Sequence, residues 1–353
     1  MTFCFFGSYD PNYARNKILI DGLQKNGVKI VHCRSMAGNV LIRYPQLFKQ
    51  FWRYKDNIDL IFVAFVGHLN VPLAWMLGKI FRKKVVFDMF YSMYDTYVFD
   101  RRSVSVGSLR AKSYWFIDKL AVTLADSVIT DTQAHAEYFM RLLHVKPRKF
   151  NKIFVGGDDT IFKPLRQKIR KKIRIIFHGM FTRLHGAEFF VEAAKLLENK
   201  KSLEFILVGS SQNYTLPVRL YEELKPSNMI YYPEIPVEKL AKLLSECSIS
   251  VGHLGTTIKA KSVITNKMFQ AIASKTAVIA GDCPANKELF VHKKTAWFVK
   301  MGDSRVLADA IIYLSSRPKL IRYLANNGYC LFKTELTNQL IGKQLLNIVS
   351  GNL

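Results

Sequence analysis

Acidic side chains are scarce in this chain: 27 Asp and Glu stand against 52 Lys and Arg, a net charge of +25 over 353 residues. That deficit disfavours a cationic partner. It points to an anionic one, whether nucleic acid, an anionic membrane surface or a phosphorylated substrate. Cysteine is sparse as well. The five (Cys4, Cys33, Cys247, Cys283, Cys330) form no close pair and are odd in number, which excludes a zinc-finger spacing and a disulfide framework and suits a reducing compartment. No basic leader precedes the strand-like FCFFG run, so a secretory signal is not expected. Only Leu60 to Gly78 runs long without formal charge, over 19 residues. His68, Asn70 and Pro72 at its centre argue against a spanning helix and for a strand, a turn, and a helix with Pro72 in its first turn. Solenoid repeats, low-complexity tracts, a full GxGxxG fingerprint and a nucleic-acid motif are all missing.

What is present is a steady rhythm: a short apolar run, a glycine or polar turn, then a longer helical pattern. With 49% apolar residues, a chain of this length can fill two cores. FCFFG, VKIVHCR, LIFVAF, VVFDMF and SVITDT read as strands of a first round. Helices are predicted at about 15–26 and 109–125. KIRIIFHG, LEFILVGS, MIYYPEI, CSISVGHLG and TAVIAGD form a second round. Alternation of this kind predicts α/β architecture: two doubly wound, Rossmann-like domains with parallel sheets covered on both faces. The boundary is expected near FVGGDDTIFKP, giving residues 1–157 and 158–330. A final helical stretch, 331–353, is expected to cross back towards the first domain.

In open parallel sheets, ligands bind outside the carboxyl ends of the strands, which directs attention to the loops there. Gly7, Ser8 and Tyr9 form the first such loop. A glycine lets backbone approach a ligand and the following helix start favours an anion, although a tight turn explains it as well. Asp88 ends VVFD and Asp95 follows it, with Tyr94, Arg101 and Arg102 close by. Carboxylates and guanidinium groups at strand ends suit hydroxyl or phosphate recognition, or simply an exposed ion-pair network. Gly179, Arg183, His185 and Gly186 lie between a strand and an amphipathic helix, a candidate diphosphate cradle. Gly209 ends another strand. Lys259 and Lys261 precede Thr265 and Asn266, which open the helix KMFQAIA, and Gln270 follows one turn on. Unpaired amides with lysines nearby make an anion site.

The segments GMFTRLHGAEFFVEAAKLL, NKMFQAIASKTAVIAG and VGGDDTIFKP resemble, in order and spacing, glycosyltransferase family 4 of the GT-B fold superfamily. The resemblance spans nearly the whole chain. It implies a cleft between the two domains, a nucleotide-sugar donor held by the C-terminal domain, an acceptor held by the N-terminal one, and transfer with retention. It implies no resident metal or cofactor, with UDP or GDP as the expected carrier. Under it, Lys267, Asn266 and Gln270 meet ribose and diphosphate, Lys261 and Arg183 offset leaving-group charge, and Ile235 meets the base. Asp282 and Glu288 approach the sugar or ribose, and Asp88 and Asp95 orient the acceptor hydroxyl. The chain departs from the family pattern in carrying Ser262 and Gln270 where two glutamates are common. Met180 and His185 stand where arginine and lysine are usual. Asp88 occupies the region of an N-terminal-domain histidine. A catalytically silent fold that binds a nucleotide, glycan or protein partner is the alternative reading, and a sugar-nucleotide epimerase a further one.

The basic stretches RLLHVKPRKFNK and KPLRQKIRKKIRI, between Arg141 and Arg174, carry much of the charge. They read either as a solvated face or as a peripheral contact with anionic lipid. The second reading makes the acceptor a lipid-linked saccharide or a growing cell-surface glycan, at the inner face of the cell membrane in the cytoplasm. Nucleic acid ranks last.

Overall fold

A computed structural model describes residues 1–165, 172–211 and 213–351. The chain divides into two compact units. The first comprises Met1–Val155 with Thr337–Leu353, the second Gly156–Leu336.

In the first unit the strands are β1 (Thr2–Gly7), β2 (Lys29–Arg34), β3 (Leu60–Val63), β4 (Lys84–Asp88), β5 (Ser127–Thr130) and β6 (Phe150–Lys152). Its helices are α1 (Ala14–Lys25), α2 (Val40–Tyr54), α3 (Val71–Phe81), α4 (Leu109–Leu124) and α5 (Gln133–Leu143). The sheet is parallel throughout, in the order β2-β1-β3-β4-β5-β6. Phe3, Cys4, Phe5 and Phe6 are all fully buried, so β1 lacks polar alternation because both of its faces are covered. The charge-free stretch from Leu60 resolves into β3, a short 3-10 turn and α3, with Pro72 in the first turn of α3. Among the described residues no helix is long and apolar enough to cross a membrane. All five cysteines are free thiols.

The second unit holds β7 (Ile173–His178), β8 (Leu203–Val208), β9 (Met229–Tyr232), β10 (Ile249–Val251), β11 (Ala277–Gly281) and β12 (Trp297–Val299). Its helices are α6 (Ala187–Leu196), α7 (Leu216–Leu224), α8 (Val237–Ser245), α9 (Ile258–Ser262), α10 (Asn266–Ala273), α11 (Pro284–Lys287), α12 (Ser304–Ser315) and α13 (Pro318–Leu331). Strand order is β12-β11-β10-β7-β8-β9, again all parallel. The order reverses between β7 and β10, and the ends of those two strands are where such sheets bind ligands. Four of the basic-stretch cations anticipated as a surface (Arg166, Lys168, Arg170 and Lys171) lie outside the described residues.

The last helix, α14 (Asn338–Gly351), belongs to the first unit and packs on α1. Glycine permits this contact. A Cβ on Gly22 would fall onto the Asn338 carbonyl oxygen, and one on Gly342 onto the backbone of Gly22. The Asn26 side chain donates to the Gln339 carbonyl at 2.8 Å beside them. Gly22→Ala should therefore force the two backbones apart. We expect a loss of about 2 kcal/mol, hence roughly 4–8 °C in Tm. Scanning calorimetry showing an unchanged Tm would refute this account of the contact.

Candidate functional site

The switch point of the second sheet gathers the chain's most unusual buried charge. His178 is the last residue of β7, and Gly179 follows it with a φ of +115°, a conformation that disfavours any side chain. Beneath them lies Lys267, in the first turn of α10. It is 4% exposed, its ammonium sits 3.7 Å from the centroid of the Phe177 ring, and Nζ has no hydrogen-bond partner. Burial alone pushes its pKa well below the usual lysine value. The aromatic face offers some stabilisation to a cation, but not the counter-ion that a buried ammonium ordinarily requires.

Around this lysine the polar groups are histidines and amides rather than carboxylates. The His178 imidazole donates from Nε2 to Gln270 Oε1 at 2.9 Å, while its Nδ1 is unpaired. Just beyond β10, His253 donates to the Ala260 carbonyl at 2.8 Å and lies 3.4 Å from the Thr265 hydroxyl. Desolvation first, then the Lys267 charge, depresses both rings to about 4, so each is neutral at pH 7. Thr265 is the N-cap of α10, yet its hydroxyl makes no capping bond. The opening amides of α10 thus lack that acceptor. Thr257 by contrast caps α9, accepting from the Ala260 amide at 3.1 Å.

Two strand-end loops are fused here. Leu254 donates to the His185 carbonyl at 2.9 Å and Gly255 to that of Leu184 at 3.2 Å. A Cβ on Gly186 would lie 2.5 Å from the Gly255 nitrogen, so glycine is required for that approach. Gly209 has a similar duty after β8, because a Cβ there would strike the Gly179 carbonyl. His185 donates from Nδ1 to the Met180 carbonyl, closing its own loop. Arg183 is exposed and stacks on Tyr214, 5.5 Å to the ring centroid, whose hydroxyl donates to Glu188 at 2.8 Å.

Of the donor residues expected from sequence, Gly179 lies over the Lys267 side chain, and Gln270 is reached through His178, the residue before Gly179. Thr265 and Asn266 open the same helix. Lys259 is half-buried and Lys261 exposed, both on α9. Ser262 turns its hydroxyl to the Ile258 carbonyl of that helix at 2.9 Å. Ile235 lies half-buried in the loop after β9, and Glu288 just past α11. Asp282 follows β11 directly. It is about half exposed and pairs with Lys287 at 2.5 Å, a partner supplied by the turn that follows β11.

The first unit revises more. Asp88 is fully buried and held by Arg15, Nη2 to Oδ1 at 2.9 Å and Nε to Oδ2 at 3.1 Å, both side chains 0% exposed. The same guanidinium donates to the Ile153 carbonyl at 2.9 Å. Asp88 is therefore a latch between α1, β4 and the end of the first unit, not a carboxylate presented to a hydroxyl. Asp95 is buried too, accepting from the Tyr138 hydroxyl at 2.5 Å. Tyr9 is 0% exposed and its hydroxyl pairs with His32 at 2.5 Å, which removes it from any acceptor surface. Gly7 and Ser8 stay at the end of β1. Asn70 would stand 2.8 Å from a Gly7 Cβ, and Arg43 donates to Ser8 Oγ at 3.0 Å. Tyr94 packs edge-on to Phe99, and Arg101 is exposed over Tyr97. Sequence reasoning missed Asp118, which accepts from Ser92 Oγ at 2.5 Å and from the Met93 and Tyr94 amides, and so shapes the segment after β4. Its only signal is that it is the one carboxylate in α4.

With this geometry in hand, the comparisons are specific about fold. Two parallel six-stranded sheets with this connectivity are the GT-B fold of glycosyltransferases. Residues 172–317, which carry the Lys267 cluster, match the family described as Glycosyl transferases group 1. Anabaena HepE in complex with UDP superposes with a TM-score of 0.75 at 16% identity, covering 99% of this chain and 100% of that one. Sucrose-phosphate synthase from Thermosynechococcus elongatus gives 0.74 at 16% over 99% and 98%. A glycosyltransferase from Rickettsia africae gives 0.73 at 13% over the same shares. No protein of curated function matches in sequence.

The two depressed histidines carry a pH consequence. Unfolded imidazoles take up protons near 6.5, whereas these fold neutral and resist protonation until about 4. Their contribution is thus fully present above 6.5 and is lost as pH falls towards 4, by up to roughly 3 kcal/mol each. Thermal melts from pH 7 to 4.5 should show a steep fall that His178→Gln lessens. An identical slope in the variant would remove His178 from the cause.

Proposed function

We propose that this chain transfers a glycosyl group from a nucleotide-sugar donor to a glycan or lipid-linked acceptor. The observation that carries the reading is Lys267, a buried ammonium without a counter-ion at the switch point of a Rossmann-type sheet. A nucleoside diphosphate supplies the missing charge. Its phosphates would take the opening amides of α10, with Lys267 beneath and Lys259, Lys261 and Arg183 contributing from the neighbouring loops. Gln270 keeps its amide NH2 for a ribose hydroxyl, since its carbonyl already accepts from His178. Support also comes from the family match over residues 172–317 and from HepE, a structural neighbour that binds UDP and UDP-glucose.

The chemistry follows from charge. As the bond between the anomeric carbon and the phosphate oxygen breaks, negative charge grows on the diphosphate, where Lys267 and the helix amides stabilise it. The acceptor oxygen bonds to the anomeric carbon and its proton passes to the departing phosphate oxygen. This route accounts for retention without a separate base. It suits a chain whose two expected acids, Asp88 and Asp95, are already engaged by Arg15 and Tyr138. Protein cations then do the neutralising that a divalent metal performs in other transferases. Cell-surface polysaccharide or glycoconjugate synthesis in the cytoplasm is the setting we propose.

Lys267→Met gives two opposite outcomes. Removing an unpaired buried charge while keeping volume should raise the Tm of the ligand-free protein. The same change should abolish the Tm rise produced by the matching member of a UDP-, GDP-, ADP- and CMP-sugar panel. A bound phosphate opposes the burial that lowers the lysine's pKa, so nucleotide affinity should weaken as pH rises. An unaltered nucleotide response in Lys267→Met would sink the assignment. A response without release of free nucleotide from the donor, whatever acceptor is offered, would establish the silent binding fold instead.

A further inference from the structure

We infer that the outer face of α2 and α3 in the first unit is the surface by which the protein docks on an anionic membrane. The inference rests on the proposed lipid-linked acceptor and gives it a location distinct from the basic stretches between Arg141 and Arg174. α2 is tied to the turn before α3 and to the end of α3: the Tyr44 hydroxyl donates to the Leu69 carbonyl at 2.7 Å, and the Trp52 and Phe81 ring centroids lie 5.7 Å apart. Inward, Leu47, Phe51, Leu73, Ala74 and Leu77 fill the core. Outward, the same helices leave apolar side chains in water. Leu41 is 82% exposed, Ile42 54%, Trp52 52%, Met76 42% and Ile80 61%. Scattered single leucines are unremarkable on a surface, but a paired-helix face carrying this many is a contact surface.

Charge identifies the occupant. Neither α2 nor α3 contains an acidic residue, and Lys49, Arg53, Lys79 and Arg82 are exposed along them. Apolar side chains with an interfacial tryptophan, set among cations and with the one acid just past α2, Asp56, paired to Lys55, are the composition that lies in a lipid headgroup layer. Lysine and arginine stems run along the apolar surface while their heads reach the phosphates. A second copy of the chain does not fit, because a two-fold pairing of this face would set these cations against one another.

The test uses the whole chain and sedimentation with vesicles of phosphatidylcholine, with and without phosphatidylglycerol. We expect binding only to the anionic vesicles. Lys49→Glu/Arg53→Glu should lower partitioning at least tenfold, about what two lost lipid contacts represent. Leu41→Ser/Ile42→Ser should lower it with the positive charge intact. Arg141→Glu/Lys146→Glu serves as the competing surface. Binding that survives the α2 changes, or that is lost only with the Arg141 and Lys146 changes, overturns the assignment. So does a dimer that dissociates with the α2 variants in analytical ultracentrifugation. The nucleotide-induced Tm shift, measured on every variant, keeps the two proposals apart. A protein that answers nucleotide but not lipid defeats the docking face alone, and the reverse defeats the donor site alone.

Discussion

An ammonium buried without a counter-ion is among the costlier things a fold can contain, and the second unit is arranged around one. Lys267 sits where it does because β7 and β10 part at the sheet's switch point and α10 begins there. Glycine at 179 leaves room above the ammonium, and the Phe177 ring lines one side of it. The neighbouring histidines are kept neutral by the same lysine and the same burial. Filling that place with a hydrophobic residue would make a more stable protein. Retaining the lysine is the mark of a site that trades stability for a ligand's negative charge.

The first unit handles its charge differently. Arg15 and Asp88 are as deeply buried as Lys267, but they neutralise each other and satisfy the backbone at Ile153 and Phe154. Asp118 does similar work for the segment after β4, and Asp95 takes the Tyr138 hydroxyl. Polar groups at the strand ends of this unit thus set the shape of the loops, while Lys267 in the second unit is left without a partner. The contrast is why the donor half of the proposed reaction is easier to assign than the acceptor half.

Much of this was legible in residue order. The alternation of apolar runs with helical stretches predicts two doubly wound sheets. β1, β4, β7, β8 and β11 fall on the runs that suggested them, because buried parallel strands have no polar alternation to blur their ends. Three elements were not visible: β6 and β12 are edge strands of three residues each, and α2 carries large apolar residues on its outer side as well as its inner one. The glycines at 22 and 342 give no local signal either, since what they permit lies more than three hundred residues away in sequence.

Composition and periodicity, then, determined the fold class, the excess of positive charge and the loops where ligands would bind, since these depend on local chemistry repeated along the chain. Tertiary structure alone decided which charges are spent and which are not. Asp88 and Lys267 look equally functional as letters at the end of a strand and the start of a helix. Only the packing shows that one has Arg15 within 2.9 Å and the other has no hydrogen-bond partner, because pairing is settled by distance in space and not by position in the sequence.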